Sequence, residues 1–226
     1  MEQEVRVGGR RAALATAVGW VAAYFDERGN TAAAAVKGGK PYAYPAYDRM
    51  ETGSGPDRLN DGDLLAPVLL NVAPSVKAVF NLQAIRSGLE AILAGIPLDL
   101  TLQAAVADGS HGQPLQALGG YLDQGGGVPG VGGTILMKIM HRKRPLFLPL
   151  YDTQVYACYC GITADHPIQP ASKRTWAEFL TLLGESMAND LDSQPAQWKA
   201  LADTAPVDVT LLRILDVVAW HLGKSV

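Results

Sequence analysis

A mainly α-helical fold with little or no sheet is predicted by two observations: apolar residues recur at helical spacing in segment after segment, and strand signals are scarce. Of the 226 residues, 48% are apolar, enough for a real core in one large domain or two small ones. Residues 10 to 27 place Leu14, Val18, Val21 and Phe25 on one helical face, and Gly29-Asn30 supplies a stop. Residues 28 to 62 are rich in Gly, Pro and Tyr and read as a long connection, with a short helix over 31 to 36. Asn60-Asp61 is a helix start, and Pro67 bends the apolar run that continues to Val72. Pro74-Ser75 opens the next helix, with Val76, Phe80, Ile85, Leu89 and Ile92 facing inward and Gly95 and Pro97 ending it. Short helices follow within 98 to 109 and over 113 to 123, the latter carrying Leu115, Leu118 and Leu122. Further helices are expected at 134 to 141, 153 to 160, Trp176 to Met187 and Trp198 to Leu201. The closing stretch VTLLRILDVVAWHLG is apolar almost all round and is therefore expected to be central. The run from Leu146 to Leu150 is the main strand candidate. With no repeat or linker in view, residues 1–226 read as one helical domain, or as two helical lobes of which 113–155 is part.

Bulk properties narrow the function. A net charge of −3 and a pI near 5.8 argue against coating nucleic acid by bulk charge, while leaving room for a local basic patch. Cys158 and Cys160 fit neither a zinc knuckle nor a thioredoxin-type pair and read as buried thiols. His111 and His166 lack metal-ligand spacing, so no metal or cofactor is expected. No apolar run is long enough to span a bilayer, so no membrane partner is expected. Arg10-Arg11 precedes an apolar stretch as in a secretion signal. However, Glu2 and Glu4 occupy the would-be basic region, and Asp26, Glu27 and Arg28 interrupt the chain before the small residues at 31 to 36. A cytoplasmic location is therefore expected.

The chemistry concentrates in VPGVGGTILMKIMHRKRPLFLPLYDTQV, residues 128 to 155. Gly130-Val131-Gly132 permits a tight turn that feeds a helix starting near Gly133-Thr134. Free amides at such a helix start attract phosphate, which makes Gly130, Val131, Gly132 and Thr134 candidate phosphate binders. Helix, glycine turn and helix together can grip a nucleic-acid backbone without reading sequence; the same residues also suit an ordinary tight turn between helices. His141, Arg142, Lys143 and Arg144 form the densest basic cluster, suited to phosphate or to a solvated helix C-terminus. Asp152 ends an apolar run. A buried carboxylate there can stabilise a sugar cation and activate water, or it can cap the next helix. Tyr42, Tyr44 and Tyr47 can stack on a base or pack their loop onto the core. Arg213 and Asp216, three apart in the last helix, read as a structural ion pair. The glycine run is neither a P-loop nor a dinucleotide fingerprint.

The segment Val128-Pro129-Gly130-Val131-Gly132, followed by a helix and Tyr151-Asp152-Thr153-Gln154-Val155, resembles the helix–hairpin–helix DNA glycosylase superfamily, its 8-oxoguanine glycosylase-like members included. That resemblance implies a helical glycosylase-like fold, a DNA partner and a catalytic role for Asp152, with the hairpin amides on the DNA backbone. It also implies base excision without metal or cluster. Asn71 and Gln154 fall where the family approaches the base. The sequence departs from the pattern in several places. Thr134 stands where bifunctional members carry a lysine, so β-lyase chemistry is not expected; Lys138, one turn further, is expected at a different depth. Iron–sulfur cysteines are absent, Asn71-Val72-Ala73 replaces the glutamines near the DNA wedge, and Gln154 replaces a histidine. A second resemblance covers most of residues 42 to 222. The motifs DLLAPVLLN, HRKRPLFLPLYD and LLRILDVVAW resemble a group of uncharacterised, mainly actinobacterial proteins. The expectation is a monofunctional N-glycosylase releasing a damaged base, with an oxidised purine the first candidate. The rivals are an N-glycosidase of free nucleosides or nucleotides and a catalytically inactive nucleic-acid or ligand-binding module.

Overall fold

The computed structural model describes residues 3–41, 46–205 and 208–224. Tyr42 and Tyr44 lie outside the described residues. The described chain is mainly helical, with one two-stranded antiparallel sheet near its start.

That sheet departs from the helix expected from residue 10. Strands β1 (Glu4–Val7) and β2 (Arg10–Ala13) pair in the register Glu4↔Ala13 to Val7↔Arg10. Val5 and Val7 alternate with charged residues at period two and are fully buried, so the pattern is that of a half-buried strand. Helix α1 (Leu14–Phe25) follows, and Asp26 caps α2 (Glu27–Ala35) by accepting the Gly29 amide. Gly29 and Asn30 thus lie inside a helix rather than ending one. The Asn30 amide donates back to the carbonyls of Ala23, Tyr24 and Asp26, which closes the end of α1. After the short helix α3 (Ala46–Arg49), α4 (Asp61–Leu65) opens on an Asn60/Asp63 capping box. Pro67 tightens the next turn, Ala66–Leu70, to a 3-10 helix that stops on Asn71 in the left-handed region, φ 59°.

In α5 (Val76–Ala94), capped by Ser75, the inward stripe is Ala78, Leu82, Leu89 and Leu93. Val76 and Phe80, expected inside, are 75% and 68% exposed. The stripe starts at Ala78 because the glycine hairpin packs there: a Cβ at Gly130 would sit 3.3 Å from the Ala78 methyl. Helices α6 (Leu102–Asp108), α7 (Gly112–Asp123), α8 (Gly133–His141) and α9 (Thr153–Tyr159) come next. The run Leu146–Leu150 is buried or half-buried but forms no strand. Its backbone is held piecemeal instead, with the Leu146 carbonyl accepting from the Leu102 amide and the Leu148 carbonyl accepting from His141 Nδ1. Helices α10 (Trp176–Ser193), α11 (Pro195–Ala202) and α12 (Leu211–Lys224) complete the described chain. Helix α12 is buried on most of its surface against α1, α9 and α11, as its apolar composition predicted. One buried apolar cluster runs from Val5 to Leu222 and includes Cys158 and Cys160 as free thiols. No described helix is long and apolar enough to cross a membrane.

Buried cations fasten this frame. Arg213, 1% exposed, donates to Asp48 Oδ1 (2.8 Å), Asp216 Oδ2 (2.5 Å) and the Tyr24 hydroxyl (3.1 Å), and so ties α1, α3 and α12 together. Arg144 and Lys143 fasten the 50–57 segment in the same way, through Asp57 and Ser54, and Lys143 also pairs with Asp63 of α4.

His141 is buried with its Nδ1 2.6 Å from the Leu148 carbonyl. Burial pulls its imidazole from 6.5 down to about 4, outweighing that hydrogen bond, which raises it. Between those two values the unfolded chain binds a proton that the folded chain refuses. The contribution of His141 to stability is therefore complete above about pH 6.5 and is lost as pH falls through about 4. The expected result in an NMR titration is a His141 ring resonance that stays constant from pH 8 to about pH 5. A midpoint near 6.5 would contradict the burial argument.

Candidate functional site

Helix α7, the turn after it and α8 form the hairpin. Gly130 adopts φ +80°, open to glycine at little strain, and Val131 is buried as its anchor while Gly130 and Gly132 are exposed. Helix α5 backs the turn, with Asn81 Nδ2 donating to the Pro129 carbonyl at 2.6 Å. The first amides of α8 have no partner within their own helix, and the N-cap Gly132 offers no side chain to them.

Between the hairpin, the start of α9 and α12 lies a cavity of about 620 Å³. Five of the residues singled out in the sequence line it: Asn71, Gly132, Thr134, Asp152 and Gln154. Asp152 has two faces. Its Oδ1 accepts from the amides of Gln154 (2.9 Å) and Val155 (3.0 Å), which caps α9. Its Oδ2 turns to Lys138, whose Nζ stands 3.8 Å away. The Lys138 side chain is only 5% exposed and lines the same cavity. Lys138 does stand at a different depth, one helical turn below Thr134 and more buried, yet its long side chain reaches Asp152.

The far wall comes from α12. Asp216, Trp220 and Lys224 recur every four residues, so one stripe of an otherwise apolar helix faces the cavity. Asp216 gives one oxygen to Arg213. Burial, with the Asp152 charge adding, raises its carboxyl above the usual range despite Arg213. The Lys224 ammonium sits 3.2 Å from the Trp220 ring centroid. Two carboxylates, two ammonium groups and an aromatic face thus meet around one space. Sequence reasoning missed Trp220 and Lys224, set Lys138 aside and read Asp216 as structural alone. The spacing of 216, 220 and 224 was the available signal.

The remaining candidates lie elsewhere. Tyr47 is buried and donates its hydroxyl to the Lys138 carbonyl at 2.5 Å, so it props α8 rather than stacking on a base. The basic cluster is also turned inward. Arg142 bonds the Met50 carbonyl and pairs with Asp63 (3.4 Å). Lys143 pairs with Asp63 (3.1 Å) and Ser54 (2.7 Å). Arg144, 2% exposed, pairs with Asp57 and donates to the carbonyls of Leu93, Ile96 and Pro56. With His141 buried as well, this cluster anchors the 50–57 segment and does not present a surface to phosphate. His111 meets Glu185 at 3.1 Å and His166 meets Thr163 at 2.7 Å. Among the described residues no three His, Cys, Asp or Glu side chains group to hold a metal.

Gly223 sets the closeness of α12 to α9. A Cβ there would fall 2.5 Å from the Gln154 carbonyl oxygen and 2.6 Å from its Cα. Gly223→Ala is expected to push Gln154 and the Asp152 cap outward and to cost about 1–3 kcal/mol of stability, read as a lower urea midpoint. An unchanged midpoint would contradict the close approach.

The segments that carry the second resemblance meet here. DLLAPVLLN supplies Leu70 and Asn71, HRKRPLFLPLYD supplies Asp152, and LLRILDVVAW supplies Asp216 and Trp220. Residues 17–223 match the model of a family of unknown function, DUF6308, and the chain belongs to that family. No curated protein and no solved structure matches the chain.

Proposed function

We propose that this protein is a monofunctional N-glycosylase that hydrolyses the bond between a damaged base and its sugar in DNA, with an oxidised purine as the first substrate to try. One observation carries the reading: Asp152 is fixed through one oxygen by two backbone amides and offers the other to a cavity large enough for a base. The hairpin beside it, with Gly130 and Gly132 exposed, suits a phosphate backbone. The resemblance of PGVG and YDT to glycosylases adds to this.

In the reaction the C1′–N bond breaks and its electron pair leaves with the base. The cationic sugar is stabilised by the Asp152 carboxylate. Water adds to C1′, and its proton passes to Asp152 and then to the departed base. Lys138 balances the charge of the Asp152 carboxylate. Trp220 gives the base a face to lie against, and Asn71 and Gln154 offer amides to its edge.

The test is incubation of the protein with duplexes carrying single lesions, 8-oxoguanine among them, followed by analysis before and after alkali. Base release with strand cleavage only after alkali is expected. Cleavage before alkali would make the Lys138 amine a nucleophile and the enzyme bifunctional. Release from no lesion would overturn the DNA reading. The inward-turned basic cluster and the net charge of −3 favour the second reading, a free nucleoside or nucleotide as substrate. Salt separates the two: binding through several DNA phosphates weakens steeply between 50 and 200 mM salt, by about 10³-fold or more for six contacts, and nucleoside binding does not.

A further inference from the structure

Behind the Asp152 cavity lies a second one of about 470 Å³, walled by Tyr151, Tyr156, Trp176 and Phe179. The rings lean edge to face: Trp176 meets Tyr151 at 5.4 Å and 88°, and Phe179 at 5.6 Å and 85°. Each such pair sets the edge of one ring on the face of another, so what the cleft offers a ligand is the ring surface turned away from these partners. Tyr156 is 44% exposed. Arg174, the charged residue among the described residues lining this cleft, is steadied by donating to the Gln169 carbonyl at 2.5 Å. An adjoining hollow shares Arg174 and adds Lys173 together with Glu178, whose carboxylate accepts from the Thr175 amide.

The two cavities share a wall one backbone thick. Asp152 lines the first and its immediate neighbour Tyr151 lines the second, while the buried Gly133 packs against the edge of the Trp176 ring, where a Cβ would lie 2.6 Å away.

We propose that this aromatic cleft is a second binding site and takes a nucleotide unit, its unpaired base stacked against Trp176 and Tyr156 and its phosphate on Arg174. Open aromatic faces beside a guanidinium are what a base with its phosphate requires, and the site holds no carboxylate among its described lining residues to repel the anion. The inference rests on the nucleic-acid reading above and extends it: the cleft would hold a nucleotide next to the one being processed, or a free nucleotide.

The test is fluorescence anisotropy of a labelled single-stranded oligodeoxyadenylate with wild type, Tyr156→Ala and Arg174→Gln, each checked for fold by circular dichroism. Each variant is expected to bind about tenfold or more weakly than wild type. Unlabelled dAMP competing at concentrations similar to unlabelled oligonucleotide would identify a free nucleotide as the ligand; competition by oligonucleotide alone would identify a strand. Variants that bind as wild type does, or a wild type that binds neither probe, would overturn the proposal. Base release is a separate readout. If wild type releases no base while both variants lose affinity, the excision reading fails and the cleft stands. If release is observed and the variants bind normally, the cleft fails alone.

Discussion

Arg213→Met is expected to remove a large part of the stability of this protein. The guanidinium is 1% exposed and is shared by Asp48 and Asp216 while lying 5.0 Å from the Tyr24 ring centroid. Methionine fills similar volume, so little cavity forms, but two buried carboxylates lose their cation. Breaking a buried pair by removing one partner costs about 3–5 kcal/mol, against a total of about 5–15 kcal/mol for a typical domain. Urea unfolding should show the loss as a lower midpoint with an unchanged slope. Adding Asp48→Asn and Asp216→Asn to the same chain should restore part of it, because neutral amides need no counter-charge. A midpoint within about 0.5 kcal/mol of wild type would show that the network is not a fastener.

Asp152→Asn carries the second large effect, on chemistry rather than folding. The asparagine carbonyl can still accept the Gln154 and Val155 amides, so the cap on α9 survives. Lys138 loses its counter-charge inside a cavity that water enters, which costs about 1–3 kcal/mol, between the values for exposed and buried pairs. The loss in rate is far greater. The neutral amide neither stabilises a sugar cation nor takes a proton from water, and each role is worth at least about 10²-fold, so a fall of about 10³-fold or more is expected.

Much of the helical order was legible because Asn60, Ser75 and Asp152 act locally, each accepting the amide two or three residues on. The N-terminal hairpin was not, since Val5 and Val7 alternate over only four residues, too short a run to outweigh the helix beyond. The Val76 and Phe80 face was misread because α5 takes its register from contact with Gly130, a long-range fact. The same holds at the site. The cap and hairpin were read from sequence, and Asp152, Thr134, Asn71 and Gln154 do converge. The HRKR cluster carries no sign in its own sequence that Asp57, Asp63 and several carbonyls wait for it across the chain. Lys138 was judged by depth along a helix, whereas the reach of its side chain decides where the charge goes.

The central claim is that Asp152 drives hydrolysis at a sugar–base bond. Its most direct test is base release from a lesion-bearing duplex by wild type and Asp152→Asn at matched, saturating protein, in a single turnover, with folding confirmed for both. Release by wild type and a fall of about 10³-fold or more in the variant is the predicted result. Equal release by the two proteins would contradict the account and move the chemistry away from this carboxylate.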